Sequence, residues 1–397
     1  MATILDYVRD ERATFGETPL READSLVFSQ LAMVRMGNVA PLHRLEEGGR
    51  HRLRRMLERF GAGRRLLRRH AAKRTPEGCS FADLLGAGLS DDKFTGLASV
   101  NVRELLAAAA ESPRFGGVVI HDYVSVFSEQ RRTQFAAVAF TCPECFTYLA
   151  FRGTDDSWTG WREDFDMAYA APVPAQEMAA RYVAEMARRT GRSLILGGHS
   201  KGGNLAMYAA AKLPEREARQ LLAVFDHDGP GFAEGVLSVD ERARVDALVR
   251  KTVPRESLVG VLMASPAGFR VVESAGRGIE QHSVFRWQLE GGALVEAEDL
   301  AASARFVADV LNEWIGGLGR QERRIAVDAL FEALRASGAT DMFEVLSGGP
   351  KTIGLLVGAA RRTPPRARGV IVDQMKRLSG IAARRARAVG IAYFTSG

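Results

Sequence analysis

The chain has 397 residues, 46% of them apolar and 26% charged, with 14 Pro and a net charge of +6. This is too apolar for a disordered chain and long enough to bury a sizeable core, so it describes a folded protein larger than a typical single domain. Three cysteines exclude a disulfide scaffold, and apolar runs such as 258–264 and 353–360 stop well short of the roughly 20 residues that cross a bilayer.

Asp6, Arg9 and Asp10 put charge where a secretory signal needs an apolar core, so the N-terminus reads as that of a cytoplasmic protein. The first 75 residues read as helical. Val27, Leu31 and Val34 recur at helical spacing, Thr18-Pro19 offers an N-cap followed by proline, and Gly37 marks an end. A basic amphipathic stretch follows: residues 50–74 carry eleven Lys/Arg against the single acid Glu58, and residues 351–397 carry ten against Asp373. These segments contribute +10 and +9 to the net +6, so the remainder carries −13, an acidic body with two basic flanks. The flanks read either as solvated faces and partners of the acidic body or as peripheral contacts with an anionic membrane. No recognition motif accompanies the arginines, which argues against nucleic acid.

From about residue 118 the pattern turns to strands: 118–127, 135–140 and 146–151. Between the last two, Cys142-Pro143-Glu144-Cys145 has CxxC spacing but sits in a Pro-containing turn, which favours a hairpin over a redox or zinc site. A helix over 174–190, a buried strand over 193–198, a helix over 204–213 and a strand over 221–225 give the alternation of a mostly parallel sheet. Short strand-like runs over 251–253 and 269–273 follow, and residues 298–345 are helical in pattern. The expected organisation is a helical segment over 1–75, an α/β core over 76–297 and a helical extension over 298–397.

The strongest chemical signal is Gly198-His199-Ser200-Lys201-Gly202. It is a GxSxG sequence between a buried strand and a helix, the context in which such a serine is held exposed at the carboxyl edge of a sheet. Small neighbours permit the strained turn, and the Lys201 N–H at the helix start can stabilise a developing oxyanion. A phosphate loop would need Lys followed by Ser or Thr after the second glycine, whereas here the order is Ser-Lys-Gly-Gly.

These residues, with Phe151-Arg152-Gly153-Thr154-Asp155-Asp156 and Trp161-Arg162-Glu163-Asp164-Phe165, resemble the class 3 (fungal-type) lipases. They resemble more closely a lipase-like bacterial family of unknown function, the Mbeg-like proteins. That second resemblance extends to Asp6-Tyr7, Pro19, Asp24-Ser25-Leu26, Phe225-Asp226-His227-Asp228-Gly229-Pro230-Gly231-Phe232 and Gln281-His282. It implies an α/β-hydrolase fold and a second oxyanion donor at the Thr154 N–H. Only His227 and His282 follow Ser200; His227 reads as a loop residue, and the chain order Ser, acid, His together with the Gln-His match selects His282 as base. His199, beside the nucleophile, cannot reach Ser200 from the elbow. The family's Asp-Gly-Pro-Gly makes Asp228 the preferred acid, whereas Glu256 lies roughly where class 3 lipases carry theirs, and Asp226 is a third candidate. The expected function is a serine hydrolase acting on an ester-like acyl bond of a small ester or lipid, with no metal or cofactor implied. The alternative is a catalytically silent hydrolase fold serving as a binding or scaffold module.

Overall fold

The computed structural model describes residues 1–37, 39–45, 75–95, 98–143, 145–265, 268–337 and 365–389; the basic stretch 50–74 and the rest of the C-terminal flank lie outside them. Seven strands form one sheet in which spatial order equals chain order: β1 (Val119–Ser128), β2 (Thr133–Cys142), β3 (Phe146–Phe151), β4 (Leu194–His199), β5 (Leu221–His227), β6 (Val249–Pro254) and β7 (Arg270–Val272). The first three run antiparallel, and β3 to β7 are parallel. Helices α1 (Ile4–Asp10), α2 (Glu22–Leu31), α3 (Phe81–Gly86) and α4 (Ser99–Glu111) precede the sheet. Between strands lie α5 (Trp158–Asp166), α6 (Pro174–Thr190), α7 (Lys201–Lys212), the single turn α8 (Glu215–Ala218) and α9 (Val239–Asp246). A two-stranded ribbon, β8 (Leu289–Glu290) with β9 (Ala293–Leu294), and helices α10 (Ala302–Gly316), α11 (Arg320–Ser337) and α12 (Pro365–Val389) complete it. This is an α/β-hydrolase fold.

The layout follows from handedness. Parallel strands added in one direction send every right-handed crossover to the same face. Accordingly Met178, Tyr182 and Val183 of α6, Leu205 and Ala209 of α7 and Val245 of α9 share one apolar cluster with Phe135, Leu149, Leu196 and Val224 of the sheet. The opposite face, lined by Phe140, Tyr148, Ile195 and Phe225, has no crossover helix and is covered instead by Tyr7, Leu26, Phe28, Leu31, Phe81 and Leu105 of α1 to α4. Alternate residues of β2 and β3 serve the two faces, which is why both strands read as unbroken apolar runs.

The α2 helix is buried from Ala23 to Leu31, so its polar residues need partners. Asp24 pairs with Arg114, both wholly buried, and accepts from the Tyr7 hydroxyl at 2.8 Å. Ser25 Oγ lies 2.7 Å from Tyr148 Oη and 2.8 Å from His227 Nε2. The helix starts at Glu22, not at Thr18-Pro19. Arg114 takes up the Thr18 hydroxyl and the Pro19 carbonyl, while Asp24 accepts the Arg21 N–H at 2.7 Å and so caps the helix three residues further on. Gly37, at φ +57°, lies in the turn beyond a helix that has already ended at Leu31.

The CxxC segment is the β2–β3 hairpin turn, where the Cys145 N–H donates to the Cys142 carbonyl at 3.2 Å. Burial pushes the Cys142 thiol up to about 12, far from the thiolate that redox chemistry needs. At the C-terminal end, Val327 and Phe331 of α11 pack on Trp158, Trp161 and Phe165 of α5, with Arg162 bonded to Asp328 across the contact. In α12, Arg384 and Arg385 meet Glu313 of α10, and Arg377 meets Glu322 of α11. No helix among the described residues is long and apolar enough to cross a membrane.

Candidate active site

The carboxyl ends of β3, β4, β5 and β6 meet at one edge of the sheet. There β4 turns at Ser200 (φ +56°, ψ −128°) directly into α7. That backbone region is strained for a non-glycine residue, of order 1–3 kcal/mol. It is held by the Ser200 N–H donating to the His227 carbonyl at 2.9 Å, which joins the elbow to the end of β5. Strand and helix come so close that a methyl group on Gly198 would lie 2.3 Å from the Gly202 carbonyl carbon, and one on Gly202 would lie 2.2 Å from the Phe151 carbonyl oxygen. Ser200 is half-buried, and its hydroxyl makes no hydrogen bond among the described residues.

Asp228 follows β5 by one residue, at φ +54°, with its N–H donating to the Thr252 carbonyl at 2.8 Å. Its Oδ2 lies 2.6 Å from His282 Nδ1, and its Oδ1 accepts from Ser257 Oγ at 2.5 Å and the Gly260 N–H at 3.0 Å. A carboxylate so supplied with donors stays fixed, and because it accepts, the proton between the pair sits on Nδ1. His282 Nε2 therefore carries the lone pair, the requirement for a base toward a serine hydroxyl. His282 is nearly buried at the end of a short 3-10 turn, Gly278–His282, secured by Gln281, which accepts from the Glu256 N–H at 2.8 Å and donates to the Gly276 carbonyl at 3.1 Å.

The other two carboxylates lie elsewhere. Glu256 accepts from the Gly278 N–H at 2.5 Å and braces the loop that leads to His282. Asp226 is wholly buried, 2.5 Å from Lys251 Nζ and bonded to the Gly229 N–H, and burial raises its pKa to about 6. Of the three, the structure brings only Asp228 to His282. His199 Nε2 donates to the His282 carbonyl at 2.8 Å, its ring centroid 4.5 Å from that of His282. Burial, with His282 beside it, keeps His199 well below its usual pKa and hence neutral. His227 is the last residue of β5, not a loop residue. It is enclosed between Ser25 and Thr252, and burial lowers its pKa to about 3.

On the other side of Ser200 is the turn after β3. A methyl group on Gly153 would lie 3.6 Å from Ser200 Cβ, so this turn abuts the nucleophile. The Lys201 and Thr154 amides have no backbone acceptor among the described residues. Lys201 opens α7, where the helix dipole favours negative charge. Asp155 fixes the Thr154 turn through the Ser157 N–H at 3.1 Å and Arg35 at 3.3 Å, and the Thr154 hydroxyl donates to Asp164. Sequence reasoning did not identify Ser257, Gly260, Glu163 or Asp164 as parts of the site, because each acts through a contact between distant segments.

Two cavities, of about 510 and 400 Å³, open elsewhere; the first is lined by Arg132, Asp166, Tyr169, Arg320 and Arg324 at the far end of α5, and neither is lined by Ser200 or His282. Among the described residues no group of His, Cys, Asp and Glu could hold a metal ion.

No curated protein matches the chain. Among solved structures it is similar to a fungal lipase in complex with an inhibitor, described as a model for interfacial activation. That similarity has 19% identity over 43% of this chain and 68% of the other, with a TM-score of 0.30. It is also similar to M37 lipase, at 13% identity over 45% of this chain and 68% of the other, with a TM-score of 0.30. Residues 109–332, more than half of the chain and the span that holds the elbow, Asp228 and His282, match the family model described as Mbeg1-like, and the chain belongs to that lipase-like family.

Proposed function

We propose that this protein is a serine hydrolase of lipase or esterase type that cleaves an ester-like acyl bond. The observation that carries the reading is the 2.6 Å contact of His282 Nδ1 with Asp228 at the sheet edge that also holds the strained Ser200 elbow. Ser200 Oγ attacks the acyl carbon, His282 Nε2 takes its proton and returns it to the leaving group, and Asp228 holds the imidazole and stabilises the imidazolium. The N–H groups of Lys201 and Thr154 receive the oxyanion. Among the described residues neither Ser200 Oγ nor His282 Nε2 has a hydrogen-bond partner, a common state of such pairs before substrate tightens them. A fluorophosphonate probe and short p-nitrophenyl esters test this: wild type is labelled and active, Ser200→Ala neither.

We propose further that the basic stretch 50–74 attracts the enzyme to anionic lipid. Arg377, Arg384 and Arg385 of α12 are met by acids of α10 and α11, so the experiment is aimed at the first flank.

A further inference from the structure

Lys201 gives the site more than an amide. Its side chain is fully buried, and its ammonium lies between α7 and α5, 3.2 Å from Glu163 Oε2 and 3.4 Å from Asp164 Oδ1. Glu163 is itself fastened by two backbone amides, Gln134 at 2.9 Å and Ala175 at 3.0 Å. Asp164 accepts the hydroxyl of Thr154, which follows Gly153 in the turn that abuts Ser200 from the other side. The chain thus closes a ring: Ser200 to Lys201 by a peptide bond, Lys201 to Asp164 by charge, Asp164 to Thr154 by a hydrogen bond, and the Thr154 turn back against Ser200.

Burial opposes the Lys201 charge, yet Asp164, Glu163 and Asp155 together hold its pKa above the usual value, so it is a cation at neutral pH. Burial, aided by the Glu163 charge, raises Asp164 to about 6 even with that cation beside it. Without the cation, the buried Glu163 carboxylate and the part-buried Asp164 carboxylate beside it would confront one another, and Asp164 would take up a proton or move.

We propose that the Lys201 ammonium is a positioning residue: shared between Glu163 and Asp164, it holds the Thr154 amide in place beside Ser200. Residue 201 then supplies one oxyanion donor from its backbone and sets the other through its side chain. The inference rests on the serine-hydrolase reading, and the experiment separates the two.

Steady-state hydrolysis of p-nitrophenyl butyrate is measured for Lys201→Met, which keeps the backbone N–H, for Thr154→Val and for the double variant, each normalised to its folded fraction. Since a misplaced oxyanion donor costs about 10²–10³ in turnover, kcat of Lys201→Met is expected to fall about a hundredfold with KM within about threefold of wild type. The double variant should be no worse than the poorer single by more than about threefold, because both substitutions release the same turn. A purely structural role would lower the melting temperature and leave kcat of the folded protein unchanged. Wild-type kcat in Lys201→Met, or losses that multiply in the double variant, would overturn the proposal. Should Lys201→Met fail to fold, Asp164→Asn, of equal size, takes its place with the same expected loss and the same non-additivity. Ser200→Ala is run alongside: if it is active, the serine-hydrolase reading has failed, and if it is inert while the lysine and aspartate variants turn over normally, only the positioning role has failed.

Discussion

Replacing Asp228 by Asn tests which carboxylate works with His282. The amide is isosteric, and its oxygen can still accept from Ser257 and Gly260, so the turn after β5 should persist. What changes is the group facing His282 Nδ1 across 2.6 Å: an NH₂ donates where the carboxylate accepted. The ring must then leave Nδ1 unprotonated and carry its proton on Nε2, the tautomer that cannot take a proton from Ser200. The imidazolium formed during the reaction also loses its counter-charge. Together these effects cost about 10⁴ in kcat, or about 5.4 kcal/mol of transition-state stabilisation. The assay is p-nitrophenyl ester hydrolysis with a thermal melt on the same sample. Glu256→Gln should stay within about tenfold of wild type, since its carboxylate meets the Gly278 amide rather than His282 and a Gln oxygen can still accept that bond. A folded Asp228→Asn within tenfold of wild type, or a crippled Glu256→Gln beside an active Asp228→Asn, would refute the assignment.

His227 should make the fold acid-sensitive. Its folded pKa is lowered to about 3 by burial, against about 6.5 when unfolded, so between those values the unfolded chain binds more protons and stability falls as pH falls. Denaturant titrations at pH 5 to 6.5 should show that slope reduced in His227→Gln by up to about 1.4 kcal/mol per pH unit, and an unchanged slope would contradict the buried neutral ring. Changing Arg54, Arg55, Arg64, Arg65, Arg68 and Arg69 to Gln should weaken binding to anionic vesicles, each basic residue near such a surface contributing about 1 kcal/mol, and leave turnover of soluble esters unaltered. Wild type that ignores such vesicles at low salt would dispose of membrane attraction.

Much of this architecture is legible in the sequence because it is local. The helix over Pro174–Thr190 declares itself by period and by its proline start, and the elbow by small residues around Ser200 between a buried strand and a helix. What could not be read depends on segments meeting across long separations. Three acids, Asp226, Asp228 and Glu256, stand near the right place in the chain, and only the turn at Asp228, with φ +54° and donors from Ser257 and Gly260, aims one of them at His282. The start of α2 is not at Thr18-Pro19 because Arg114, about 95 residues away, claims the Thr18 and Pro19 oxygens. His227 read as a loop residue because β5 runs two residues beyond its apolar segment, into a polar enclosure formed by Ser25 and Thr252. Nothing near Lys201 in the chain announces that its side chain meets Glu163 and Asp164.

The most direct test of serine chemistry at this elbow is to react the protein with a fluorophosphonate and locate the adduct by peptide mass spectrometry. The prediction is a single adduct on Ser200 in wild type, none in His282→Ala, and a Ser200→Ala variant that melts with wild type but retains less than about 1% of its esterase activity. A folded wild type that takes no label, an adduct on another residue, or an active Ser200→Ala would contradict it.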